Sequence, residues 1–135
     1  MLVLLDTDIC IHLINRRFGY ERVLRRISGR SFGEICISAI TVSELTFGVA
    51  KSAKPRENAA ALEELLIRFD LLDYPVNAAS SYGEIRAVLE RAGTPIGNND
   101  LLIAAHAMAI KARVATANID EFQRVRGLKV LDWLN

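Results

Sequence analysis

LVLLDTD, residues 2–8, decides how the rest of the chain is read. Four apolar residues without a polar interruption read as a short strand buried on both faces, the kind a parallel sheet contains. The run ends abruptly in two carboxylates, Asp6 and Asp8, one position apart. A helix is expected from about Ile9 to Arg17, with Thr7 or Asp8 able to cap it. Asp6 stands at the strand end, where local capping offers it no good partner. An acid beside so apolar a run needs a partner or a cation.

Further along, strands and helices alternate. A basic segment from about Tyr20 to Ile27 carries Val23, Leu24 and Ile27 at helical spacing, and EICIS (34–38) reads as a second strand. Thr41 to Lys51 has Val42, Leu45 and Val49 on one helical face. Pro55 opens a helix in which Leu62, Leu65, Leu66 and Phe69 recur at threes and fours. LLDYP (71–75) is a short strand ended by Pro75, and Ala78 to Arg91 is a helix. LLIAAHAMAI (101–110) is apolar nearly all round and reads as a central buried helix. RVATA (113–117), a helical turn at 119–125 and LKVL (128–131) complete the pattern. The expectation is one α/β domain over residues 1–135, with a mainly parallel central sheet flanked by helices.

Composition narrows the classes. A chain of 135 residues with 51% hydrophobic content buries a core without staples. Its apolar stretches are too short and too interrupted by charge to cross a bilayer. The N-terminus lacks a basic region and a cleavage site typical of a secretory signal. Cys10 and Cys36, embedded in apolar runs, fit a reducing cytoplasm better than a disulfide scaffold. With a net charge of +1, any nucleic-acid partner has to be met by a local patch.

In a parallel α/β sheet, sites form beyond the carboxyl ends of the strands. Four junctions place oxygen donors there: Asp6 after strand one, Glu44 after strand two, Asp100 at the start of the buried helix, and Asn118 after RVATA with Asp120 and Glu121 close behind. Each has a structural explanation too. Asp8 and Asp100 suit N-caps, as do Asn98 and Asn99, and Thr41-Val42-Ser43-Glu44 has the form of a capping box. Together, carboxylate and amide oxygens suit Mg²⁺ or Mn²⁺ and displacement at phosphorus. Zinc and thiol chemistry lack support, since no CxxC, HExxH or G-x-S-x-G occurs and PIGNND leads into no Walker A lysine. His106, in its Ala-rich helix, reads as a core or interface histidine rather than a base.

LLDTDICI, ISAITVSELTFGVAKS, PIGNNDLLIAAHA and VATANIDEFQRVRGLKVLDW together resemble the PIN-domain toxins of the VapC type, from Leu4 to Trp133. The resemblance implies a PIN fold and an Mg²⁺- or Mn²⁺-dependent endoribonuclease acting on structured RNA such as tRNA or ribosomal RNA. It also implies a homodimer and a VapB-type antitoxin, through which alone the toxin meets DNA. Carried over by position, the family's catalytic, metal-holding acids fall on Asp6, Glu44 and Asp100. Its fourth position falls on Asn118, within Thr116-Ala117-Asn118, where Ala117 replaces a commoner Asn. Thr116, Asp8, Asp120 and Glu121 are expected around these groups, with Asp120 or Glu121 the alternatives to Asn118 as the fourth group.

Arg16, Arg17, Arg22, Arg25, Arg26 and Arg30 concentrate positive charge in one early segment. Such a cluster fits phosphate contacts along an RNA, and equally a solvated helix face. Arg86 is set to pair with Glu90 at i,i+4 or to reach the pocket edge. Two other functions share parts of the pattern. Asp6-Thr7-Asp8 imitates the D-x-D of haloacid-dehalogenase-type phosphatases, and a PIN-like domain that has lost catalysis persists as a binding module.

Overall fold

β1 (Val3–Leu5) is wholly buried and lies third in a five-stranded sheet of order β3-β2-β1-β4-β5. The computed structural model describes residues 1–135. In chain order, β1 is followed by α1 (Thr7–Asn15), α2 (Tyr20–Ser28), β2 (Ile35–Ser38), α3 (Ala39–Ala50) and α4 (Pro55–Leu66). β3 (Asp70–Leu72), α5 (Ala78–Arg91), α6 (Asn98–Ala109), β4 (Arg113–Ala115), α7 (Ile119–Phe122) and β5 (Val130–Leu131) complete it. Every strand pair is parallel, so the mainly parallel sheet expected is parallel throughout.

The strand period of two divides the core. Val3, Leu5, Ile35, Ile37 and Ala115 face one cluster, with Ile9, Val23, Leu45 and Leu62 from α1–α4. Leu4, Cys36 and Val114 face the other, where Leu89, Ile103, Ala107 and Phe122 come from α5–α7. Both faces are therefore covered, which explains why the strands read as continuous apolar runs. Each thiol is buried, and burial pushes both upward, Cys36 to about 11, so neither is a reactive nucleophile.

Chain order reverses at β1, because β2 lies on one side of it and β4 on the other. Parallel strands put all carboxyl ends on one edge, and the crevice of such a sheet forms beside this switch point. The register pairs Leu5 with Ala115, so Asp6 and Thr116 leave the edge side by side.

Some element boundaries differ from the sequence reading. α3 starts at Ala39 rather than Thr41, because Ser38 is its N-cap and accepts from the Ile40 amide at 3.1 Å. The expected capping box at Thr41–Glu44 is therefore not one, and Thr41 is buried inside the helix. α6 starts at Asn98 with Gly97 at the N-cap, so neither Asp100 nor either asparagine caps it. β3 ends at Leu72, before Pro75, and Phe69 lies past the end of α4. No helix is long and apolar enough to cross a membrane.

Candidate active site

Asp6 is both the residue after β1 and the N-cap of α1: its Oδ1 accepts the Thr7 amide at 2.7 Å. The strand passes into the helix without a loop, so the capping expected of Thr7 or Asp8 belongs to Asp6. Its other oxygen, Oδ2, accepts the Thr116 hydroxyl at 2.7 Å, and Thr116 Oγ1 in turn accepts the Asn118 amide at 2.8 Å. Only 2% of Asp6 is exposed. Burial pushes its pKa up to about 6; the Thr116 and Thr7 donors oppose the shift, and the charges of Asp8 and Glu44 add to it.

Glu44 comes to the same place from the second turn of α3. Its Oε1 accepts the Thr7 hydroxyl at 2.6 Å, and its Oε2 accepts the Asn99 side-chain amide at 3.1 Å. Thr7 also lies 3.3 Å from the Thr41 hydroxyl. Asp100, half-buried in the first turn of α6, accepts from Asn118 Nδ2 at 3.0 Å. Asn118 Nδ2 also reaches Glu121 at 2.8 Å. Burial first, then the neighbouring Glu121 carboxyl and the charge of Asp6, raises Asp100 well above the usual carboxylate range. The Glu121 carboxyl shifts the opposite way, lowered first by its interaction with Asp100 and then by the Asn118 amide.

These groups border an open cavity of about 660 Å³, lined by Asp6, Asp8, Glu44, Asn99 and Asp100 among others, with Lys51 and Phe47 on its wall. That volume admits a nucleotide-sized group. Asp8 is exposed and lines the cavity, but makes no side-chain hydrogen bond. Asp120 is exposed on α7 and does not border it; Glu121, its neighbour, is the residue turned toward Asp100. Thr7 and Asn99, both of which bond Glu44, read in the sequence only as caps. The capping pattern on each hides a pairing that only the approach of α3 creates.

The three ion pairs of the chain, Arg30–Glu34, Lys54–Glu57 and Arg86–Glu90, all lie outside this group of acids. Asp6, Glu44 and Asp100 are instead held by hydroxyls and amides. As placed, no three His, Cys, Asp or Glu side chains stand close enough together to hold a metal ion. The acids expected to converge reach one edge of the sheet without forming one tight ligand cluster. The donor set itself is all hard oxygen with no cation ion-paired to it, a chemistry that suits Mg²⁺ or Mn²⁺.

His106 lies fully buried on α6, outside the cavity. Its Nδ1 is 2.8 Å from Ser38 Oγ, and its ring meets Tyr74 edge-on at 5.7 Å, while Nε2 has no hydrogen-bond partner. Burial lowers its pKa. It bolts α6 to the start of α3 and is a core histidine. Arg86 bonds Glu90 and Tyr82, each at 2.9 Å, which settles it as the i,i+4 pair.

Comparison with known proteins agrees with this architecture. The PIN domain family matches residues 3–128. Ribonuclease VapC2 of Rickettsia felis is 40% identical over 134 residues, spanning 98% of both chains. The tRNA(fMet)-specific endonuclease VapC of Shigella flexneri is 41% identical over 130 residues, spanning 96% of both. The DNA-bound VapBC structure from Salmonella typhimurium superposes with a TM-score of 0.91 at 40% identity, covering 98% of this chain and 99% of that one. A fully parallel sheet with an acidic crevice at its switch point, matched over this range, means that the chain belongs to the PIN-domain family. Within that family it groups, nearly end to end, with the VapC-type toxin ribonucleases. The phosphatase reading of Asp6-Thr7-Asp8 is thereby set aside.

Proposed function

We propose that this chain is the endoribonuclease toxin of a VapBC pair, hydrolysing phosphodiester bonds in structured RNA, with tRNA the first substrate to test. The observation that carries the proposal is the gathering of Asp6, Glu44, Asp100 and Asn118 at one sheet edge without a paired cation. The naming of a relative at 41% identity as tRNA(fMet)-specific supports the choice of tRNA.

Asp6, Glu44 and Asp100 would hold Mg²⁺ or Mn²⁺. When bound, such an ion supplies an activated water nucleophile and offsets charge on the phosphorane oxygens. Asp6 is fixed for this by its backbone and Thr116 bonds, which leave little rotamer freedom. Asn118 holds Asp100 and Glu121 through one amide nitrogen and so fixes the two carboxyls relative to each other. No histidine borders the cavity, so general-base work does not fall to imidazole.

The reading also takes a VapB-type antitoxin as partner, consistent with the VapBC complexes among the structural neighbours. A cytoplasmic homodimer is part of the same proposal. Its test is incubation of purified protein with tRNA in Mg²⁺, in Mn²⁺ and in chelator. Discrete fragments that appear with either ion and vanish with chelator support it. Release of inorganic phosphate from a phosphomonoester with intact RNA would sink it.

A further inference from the structure

The corner between α1 and α2 carries a second charged surface, away from the acids. Arg16, Arg17, Arg22 and Arg25 line one recess with Phe18, and all five side chains are exposed. None of the four arginines has a carboxylate within ion-pair distance, although Glu21 borders the recess. Phe18 is 91% exposed, and the Arg22 guanidinium stands 6.0 Å from its ring centre. An aromatic ring left in water beside guanidinium groups that meet no carboxylate is a poor arrangement for folding and a good one for binding.

The corner is built, not loose. Arg16 closes α1 in the left-handed region at φ 47°, and its amide bonds back to the His12 carbonyl. Gly19 is buried at φ 91°, where an added Cβ would lie 3.3 Å from Leu134 Cδ2. Arg22 Nη1 donates to the Leu134 carbonyl at 2.7 Å. The C-terminal segment thus clamps the turn that presents Phe18. Arg26 does not line the recess, and Arg30 is taken by Glu34 at 3.9 Å and by the Trp133 ring at 5.3 Å.

We infer that Arg16, Arg17, Arg22, Arg25 and Phe18 form an RNA exosite that grips phosphates and stacks one unpaired base of a structured RNA. The inference rests on the ribonuclease reading and deepens it by naming where the substrate is held outside the cleavage pocket. Guanidinium groups suit phosphate oxygens bidentately, and an exposed ring suits a splayed base. α1 begins after Asp6 and closes at Arg16, so its nine residues set the two surfaces about 13 Å apart along the helix. An RNA long enough to reach both would be held at a second point remote from the scissile phosphate. A short fragment would lose that grip.

The test measures binding of fluorescein-labelled tRNA to the full chain by anisotropy, in chelator, across a salt series. Arg17→Gln with Arg25→Gln should weaken binding about tenfold and flatten the dependence of log Kd on log salt, by roughly 0.7–0.9 for each phosphate no longer neutralised. Phe18→Ala should weaken it about fivefold, in keeping with the loss of one stacked base. Arg56→Gln with Arg68→Gln, the same charge change on another exposed surface, should leave binding near wild type. Equal loss in the two double variants, or none in either, overturns the exosite. So does unchanged tRNA binding with weakened antitoxin binding, which would make the patch a protein-binding surface. If the wild-type chain cuts RNA while the patch variants bind as it does, the exosite alone fails. If the wild-type chain neither binds nor cuts RNA, the ribonuclease reading fails first.

Discussion

Thr116 donates its hydroxyl to Asp6 Oδ2 at 2.7 Å, joining residues 110 positions apart at the ends of neighbouring parallel strands. That bond holds Asp6 at the sheet edge and favours its charged form. Replacing Thr116 by Val removes the donor and keeps the shape. Asp6 then rises above about 6, and the acid limb of the pH–activity profile moves toward higher pH. A loss of about 1–2 kcal/mol in stability accompanies it, because a buried acceptor is left unpaired. A profile of cleavage rate against pH, with urea unfolding alongside, measures both.

Stability itself should fall as pH rises in chelator. Asp6 titrates at about 6 in the folded chain against an ordinary 3.8, so folding favours its protonated form. The stabilising contribution is full below about pH 4 and is lost as pH climbs through 6. At 1.36 kcal/mol per pKa unit it amounts to about 3 kcal/mol at most. Asp100 acts in the same direction. Mg²⁺ or Mn²⁺ should therefore raise Tm more at pH 7.5 than at pH 5, readable by calorimetry.

His106 works with the opposite sign. Burial lowers its pKa, so its contribution is present above about pH 6.5 and is lost on acidification. His106→Ala removes the Ser38 bond and leaves a cavity between α6 and α3, costing about 2–4 kcal/mol. The shape of the pH–activity profile should not change. Disappearance of an acid limb in the variant would make His106 a catalytic base after all.

Much of this fold follows from patterns that act locally. α5 runs from Ala78 to Arg91 as its spacing indicates, and β1 is buried on both faces as LVLL suggests. The misplaced boundaries share a cause: side chains with two plausible roles. Asp6 is strand end and N-cap together, and Ser38 caps α3 where Thr41 and Glu44 offered a better-looking motif. The bond from Thr7 to Glu44 and the hold of Asn118 on both Asp100 and Glu121 depend on how α1 meets α3 and α6 meets α7. Nothing in the spacing of those residues encodes such pairings. Phe18 is similar: it falls between the two early helical segments, and only its 91% exposure beside the arginines marks it out.

Asp6→Asn separates function from folding. Asn retains the N-cap role and the shape of the side chain. It also removes a buried charge, so stability at pH 7.5 should equal or exceed wild type, while RNA cleavage falls about 100-fold or more. Comparable loss of both would mean that Asp6 serves the fold alone.

The central claim is that Asp6, Glu44 and Asp100 form one cation-holding catalytic site. Manganese titration followed by electron paramagnetic resonance, run on wild-type chain and Asp6→Asn beside an RNA-cleavage assay, tests it most directly. The expected result is saturable Mn²⁺ binding in the wild type, abolished in the variant together with cleavage. A variant that binds Mn²⁺ as the wild type does, and still cuts RNA, would contradict the assignment.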